Sequence, residues 1–150
     1  MITVVIPTHK SGATVVNAVN SVLRSSQSPC EIIVIEDRSD EAKASLSNHI
    51  SSGKIKYYRK IDGVPGASAT RNFGVSKANE PFVLFLDDDD NIVSTYIEQL
   101  KHWLNVSSCR WGFGDVLVNG RVTKFRANAS GALVNTKFKR KMRALAWAFG

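Results

Sequence analysis

Cysteine is scarce in this sequence. Only Cys30 and Cys109 occur, far apart and with no metal-ligand spacing around them, so neither a disulfide framework nor a thiolate metal site is expected. Both read as free, buried thiols of a reducing compartment. No apolar run approaches the length that crosses a bilayer. Met1 leads straight into Ile2, Thr3, Val4, Val5 and Ile6, without a charged leader, a long apolar core or a cleavage site, so a cytoplasmic location is the expectation. Glycine is too thinly placed for a dinucleotide fingerprint: neither Gly12 nor the pair Gly63 and Gly66 supplies G-x-G-x-x-G, and a phosphate-binding P-loop is missing as well. Acid is missing too, in one long stretch: after Asp115 the chain has no Asp or Glu.

What remains is an ordinary globular composition, 43% apolar and 22% charged over 150 residues, enough for one domain with one core. The formal charge of +7 is uneven, because Lys137, Lys139, Arg140, Lys141 and Arg143 crowd one segment. On a helix from about Thr136, the residues Phe138, Met142, Leu145 and Phe149 form an apolar stripe beside those cations. Two readings stay open for it: a face packed on protein, or a membrane-surface helix drawn to anionic lipid.

Apolar runs and turn residues set the order of elements. Residues 2–6 form a strand expected to end at Pro7, followed by the hydrogen-bonding loop Thr8, His9, Lys10, Ser11, Gly12. Val15, Val16, Val19, Val22 and Leu23 have helical spacing, and residues 31–36 make a second buried strand that runs into Asp37. A helix capped by Ser39 or Asp40 is expected to reach about Ser51, with Ala42, Leu46 and Ile50 on one face. Ile55, Tyr57 and Tyr58 give a short third strand. A helix over residues 67–78 is expected to turn Ala69, Phe73 and Val75 inward, and residues 81–86 read as a strand buried on both faces. Ser94 opens a helix whose stripe is Tyr96, Ile97, Leu100, Trp103 and Leu104. Asn119-Gly120 between two alternating runs is a hairpin signal. Strands alternating with helices imply a mostly parallel, Rossmann-like sheet flanked by helices, with an antiparallel hairpin near the C-terminal side.

At the end of the 81–86 strand the polarity inverts into Asp87, Asp88, Asp89 and Asp90. Four adjacent carboxylates repel one another unless they are protonated, spread into water or neutralised by a cation. Mg²⁺ or Mn²⁺ favours such oxygens and keeps positions for water and phosphate. A solvated acidic loop is the plainer alternative. Against it stands position, since open α/β sheets bind ligands beyond the C-terminal ends of their strands. The loops after Ile6, Ile35 and Leu86 share that edge, so Thr8, His9, Asp37 and the acidic run should converge there, with Arg71 entering from a helix start. Such a convergence fits a metal-bound phosphate compound. An EF-hand is excluded, because Ile92 stands where its glycine is required.

Four blocks, ITVVIPTHK, EIIVIEDRSD, GASATRNFGV and FLDDDD, resemble in order and spacing the inverting family 2 glycosyltransferases of the GT-A fold, over roughly residues 1–126. The resemblance implies that Pro7, Thr8 and His9 border the nucleotide, that Asp37 accepts a hydrogen bond from the base, and that Arg71 lies near the diphosphate. It further implies that Asp87, Asp88 and Asp89 form the D-x-D region, with Asp88 near the ribose and Asp89, helped by Asp87, on Mn²⁺ or Mg²⁺. The implied partners are a nucleotide-sugar donor, UDP by family habit, and a saccharide or lipid-linked acceptor. Nucleic acid is not among them, and contact with the inner membrane face would run through residues 137–143. Two departures stand out. Relatives usually carry a Gly and one more residue where Arg38-Ser39-Asp40 stands, and their general base is a carboxylate well downstream of D-x-D, where this chain has none. The expected organisation is therefore a single GT-A domain lacking its acceptor-side portion. A nucleotidyltransferase, or a nucleotide-binding module without a base, is the alternative.

Overall fold

The computed structural model describes residues 2–106, 112, 116–118 and 121–123. The chain divides into two units, Met1–Val106 and Ser107–Gly150. The first is built on four parallel strands, β1 (Ile2–Thr8), β2 (Glu31–Asp37), β3 (Lys56–Lys60) and β4 (Phe82–Phe85), lying side by side as β3-β2-β1-β4. Between them run α1 (Gly12–Leu23), α2 (Glu41–Ser45), α3 (Ser47–Ser51) and α4 (Ala67–Lys77), and α5 (Tyr96–Val106) follows β4. In the second unit, β5 (Val116–Val118) pairs antiparallel with β6 (Arg121–Thr123), Val118 opposite Arg121, as the Asn119-Gly120 signal predicts.

Strand periodicity explains the unbroken apolar runs of β1 and β2. Alternate residues Val4, Ile6, Ile32 and Val34 face one layer with Val15, Val19 and Val22 of α1 and Ile97 of α5, while Val5, Ile33 and Ile35 face the other. On that second face α4 comes close because Gly74 has no side chain: a Cβ there would lie 2.4 Å from Cγ1 of Val5 and 3.3 Å from Cγ1 of Ile35.

Several expectations are corrected. β1 does not stop before Pro7 but runs through Thr8, with Pro7 opposite Ile35 and Thr8 opposite Glu36. The carbonyl of Val5 accepts from Leu86 N–H, so the polar groups of Val5 face β4. Pro7, two residues on, faces the same way beyond the end of β4, where its missing N–H costs no ladder bond. The helix foreseen over residues 39–51 is two short helices separated at Leu46, whose full burial with Ala42 takes precedence over continuity. The Ser39 hydroxyl accepts the N–H of Glu41 at 3.3 Å, while the main cap comes from outside the segment: Glu36 reaches across from β2 and accepts the N–H groups of Ala42 (3.0 Å) and Lys43 (3.2 Å). The inward face of α4 is Thr70, Arg71 and Gly74, with Phe73 only partly buried, because the close approach at Gly74 sets the helix rotation. β4 is half-buried along its length, being the outermost strand on its side among the described residues. Cys30 is exposed, just ahead of β2. Cys109, Asp115, Trp111, Trp147 and residues 137–143 lie outside the described residues.

The strand order also positions a site. The chain lays β2 and β3 on one side of β1, then returns to place β4 on the other. The C-terminal ends of β1 and β4 thus flank a topological switch point, where their loops diverge and leave a crevice.

Candidate functional site

Thr8 ends β1 at this crevice and donates its hydroxyl to Oδ2 of Asp88 at 2.6 Å, joining the two sides of the switch point. The acidic run turns on itself, with Asp90 N–H donating to the Asp87 carbonyl at 3.1 Å. This turn brings carboxylate oxygens of Asp87, Asp89 and Asp90 within 4.8 Å of one another. Asp89 and Asp90 are exposed and Asp87 half-buried. Three hard oxygen donors at such spacing suit a divalent cation that also retains water or phosphate ligands. Asp90, read from sequence only as part of the run, belongs to the cluster, while Asp88 is turned to Thr8.

Arg71 rises from α4 into the same crevice. Its side chain is only 8% exposed, and Nη2 donates to Oδ1 of Asp87. Nε and Nη1 are buried with no hydrogen-bond partner among the described residues. Buried guanidinium donors without acceptors are costly, and their planar fork matches carboxylate or phosphate oxygens.

Asp37 closes β2. It is 6% exposed with both oxygens engaged: Oδ1 by Lys60 Nζ at 3.0 Å and Oδ2 by Gly66 N–H at 2.7 Å. Burial pushes its carboxyl up, but the Gly66 N–H, Lys60 and Thr70 more than offset this and hold it below the usual range. Removing the Asp37 side chain would strand the Lys60 ammonium inside the protein, so fold stability depends on it. A carboxylate offers about four acceptor sites, which leaves capacity for another donor.

His9 is exposed and donates from Nδ1 to the Asp37 carbonyl at 2.6 Å, tying the β1 loop to the end of β2. Pro7 is buried in β1. Beside them, Lys10 and Arg38 hold φ of 55° and 57°, a left-handed conformation rare without glycine. Arg38 thus adopts the backbone that a glycine would take most easily. It is held there by its N–H on the Lys60 carbonyl (3.0 Å) and its guanidinium on the Gly63 carbonyl. Away from the crevice, His49 donates from Nε2 to Asn20 at 3.0 Å, linking α3 to α1, and His102 is exposed on α5.

Sequence reasoning overlooked Lys60 and the second task of the 31–37 strand. Glu36 points away from the crevice into the α2 terminus, where Tyr57 also donates to it at 2.5 Å. The signal was available: alternation along β2 sends Glu36 and Asp37 to opposite faces. A buried Asp37 also calls for a cation, and the pairing of β2 with β3, which the sequence alone does not give, sets Lys60 opposite it.

A parallel sheet with a switch-point crevice carrying facing carboxylates and a buried arginine is a GT-A-like, Rossmann-type domain. The sequence matches Glycosyl transferase family 2 over residues 3–147, and the chain belongs to that family. It is 30% identical over 106 residues to GalNAc(5)-diNAcBac-PP-undecaprenol beta-1,3-glucosyltransferase of Campylobacter jejuni, an alignment covering 69% of this chain and 34% of that protein. Among solved structures, S. aureus TarS in complex with UDP-GlcNAc superposes with a TM-score of 0.62 at 23% identity, over 69% of this chain and 31% of the other. Glucosyl-3-phosphoglycerate synthase of Mycobacterium tuberculosis, in complex with Mn²⁺, UDP and glucosyl-3-phosphoglycerate, gives 0.58 at 20%, over 72% and 40%. The chain thus spans well under half the length of these proteins. No helix among the described residues is long and apolar enough to cross a membrane.

Proposed function

We propose that this chain is the donor-binding part of a metal-dependent, inverting glycosyltransferase that takes a sugar from a nucleoside diphosphate, with uracil as the leading base. The observation that carries the reading is the juxtaposition of Asp87, Asp89 and Asp90 with Nε and Nη1 of Arg71, which have no partner among the described residues. Asp89, Asp87 and Asp90 would hold Mn²⁺ or Mg²⁺, which when bound supplies charge neutralisation to the departing diphosphate. Arg71 offers its free donors to phosphate oxygens and its Nη2 to Asp87, so diphosphate and acidic turn are read together. Thr8 fixes the Asp88 carboxylate toward the ribose, and Asp37 keeps acceptor capacity for an N–H of the base.

In this reading the acceptor hydroxyl attacks the anomeric carbon from the face opposite the diphosphate, and the carboxylate that takes its proton comes from outside this chain. The absence of Asp and Glu after Asp115 and the partial coverage of relatives support that division. A lipid-linked saccharide is the favoured acceptor class, supported by the undecaprenol-linked substrate in the name of the C. jejuni relative. The test is calorimetric titration of UDP in Mn²⁺ and in chelator, with wild type and Asp89→Ala. Chelator and substitution are each expected to weaken binding about tenfold or more, the scale of a charge-assisted contact. Equal affinities in every condition would remove the metal from the mechanism.

A further inference from the structure

The Lys60 ammonium, at the end of β3, is 7% exposed and joins two separate segments: Oδ1 of Asp37 at 3.0 Å and the carbonyl of Val64 at 2.7 Å. The fold alone does not require an ion pair there, since apolar side chains in place of both Lys60 and Asp37 would avoid the cost of burying two charges. What the ammonium adds is a strap between the carboxylate closing β2 and the loop 61–66. That loop is exposed at every residue, yet it is held at three points. Its end is fixed by Gly66 N–H on Asp37 Oδ2, its middle by the Arg38 guanidinium on the Gly63 carbonyl, and Val64 by Lys60. Gly63 and Gly66, at φ of 77° and 110°, let the chain make this path. Ile61 and Val64 remain 60% and 73% exposed, an apolar pair carried beside a carboxylate that still has acceptor capacity.

Resting on the donor-site reading above, we infer that Lys60 is a positioning residue for the nucleobase. It aims the Asp37 carboxylate and holds loop 61–66 as one wall of the base site, so recognition of the base depends on it and recognition of the diphosphate does not. A flat heterocycle needs this combination, an apolar wall beside an oriented acceptor, whereas the diphosphate is met by Arg71 and the acidic turn.

The full chain is titrated with UDP, GDP and inorganic pyrophosphate, each with Mg²⁺, as wild type, Lys60→Met, Lys60→Arg and Arg38→Ala. Lys60→Met is expected to lose about tenfold in UDP affinity and most of the UDP over GDP preference, with pyrophosphate affinity unchanged. Lys60→Arg restores part of both, because charge and donors return. Arg38→Ala removes an exposed side chain that tethers the same loop, and it shifts the UDP to pyrophosphate ratio in the same direction by a smaller factor. That variant decides the matter if Lys60→Met fails to fold by circular dichroism. Parallel losses of UDP and pyrophosphate, or an unchanged ratio in a folded variant, overturn the role of Lys60 while leaving the donor site intact. A wild type that binds pyrophosphate but no nucleotide overturns both.

Discussion

Glu31 shows how much one carboxylate can hold together at the edge of the sheet remote from the crevice. Burial pushes its carboxyl up, yet Lys56 Nζ (2.6 Å), the backbone and side-chain N–H groups of Asn79 (3.0 and 2.8 Å) and the Thr3 hydroxyl (2.8 Å) together hold it at about 2. A folded-state value below the unfolded one stabilises the protein at pH values above the unfolded value, and that stability is lost as pH falls toward the folded value. Melting temperature should therefore fall between pH 4.5 and about 2, and Glu31→Gln should flatten part of that fall. Because Glu36 and Asp37 are also held low, the informative quantity is the difference between wild type and variant. A difference that does not change across this range would show that Glu31 is not anchored as described. Individual acids were easy to see in the sequence, but their tasks were not. Asp89 and Glu36 are equally conspicuous as letters, and only the strand ends and helix termini around them separate a carboxylate of the acidic turn from a helix cap.

At the level of elements, α4 carries both the site and the tightest packing. Gly74 sets its depth against β1 and β2, and Arg71, one turn earlier, is aimed from it. Gly74→Ala gains up to about 1 kcal/mol in helix propensity but forces a methyl into Val5, an overpacking cost of about 1–3 kcal/mol. Steric cost should win, giving a net loss of about 1–2 kcal/mol in urea unfolding. An unchanged or raised midpoint would mean that the helix can retreat freely. Most elements were legible because their apolar residues repeat at strand or helix period. The rotation of α4 was not, since a glycine adds nothing to a hydrophobic pattern even where it marks the closest contact. The division at Leu46 was hidden for the opposite reason: Ala42, Leu46 and Ile50 satisfy a helical period whether or not the helix is continuous.

The whole chain carries a formal charge of +7, with five of its cations within residues 137–143. The two readings of that segment part in a vesicle experiment. If it lies on a membrane, each cation near an anionic leaflet adds on the order of 1 kcal/mol. The chain should then sediment with phosphatidylglycerol vesicles at low salt, be released by high salt, and lose binding when Lys139, Arg140 and Lys141 become Ala. Failure to sediment at low salt would assign the segment to protein packing. The fold class was legible at this scale from alternation alone, and so was the edge on which the acidic loops would meet. Crowding within that edge was beyond reach, because pairing Lys60 with Asp37 or Thr8 with Asp88 requires a register that no single stretch of sequence contains.

The hydrogen bond between Thr8 and Asp88 links residues 80 positions apart, and β4 pairs with β1 rather than with the strand before it. This has a consequence for the order in which the molecule can be made. During synthesis from the N-terminus, β1, β2 and β3 can assemble once Lys60 has emerged, with Asp37 and its lysine already paired. The acidic turn cannot join them until more than two dozen further residues have followed. Every nascent chain ending before Phe82 therefore presents β1 with one flank unpaired, an open strand edge of the kind that recruits other chains. The same return of β4 that creates the crevice leaves that edge uncovered until the crevice is complete.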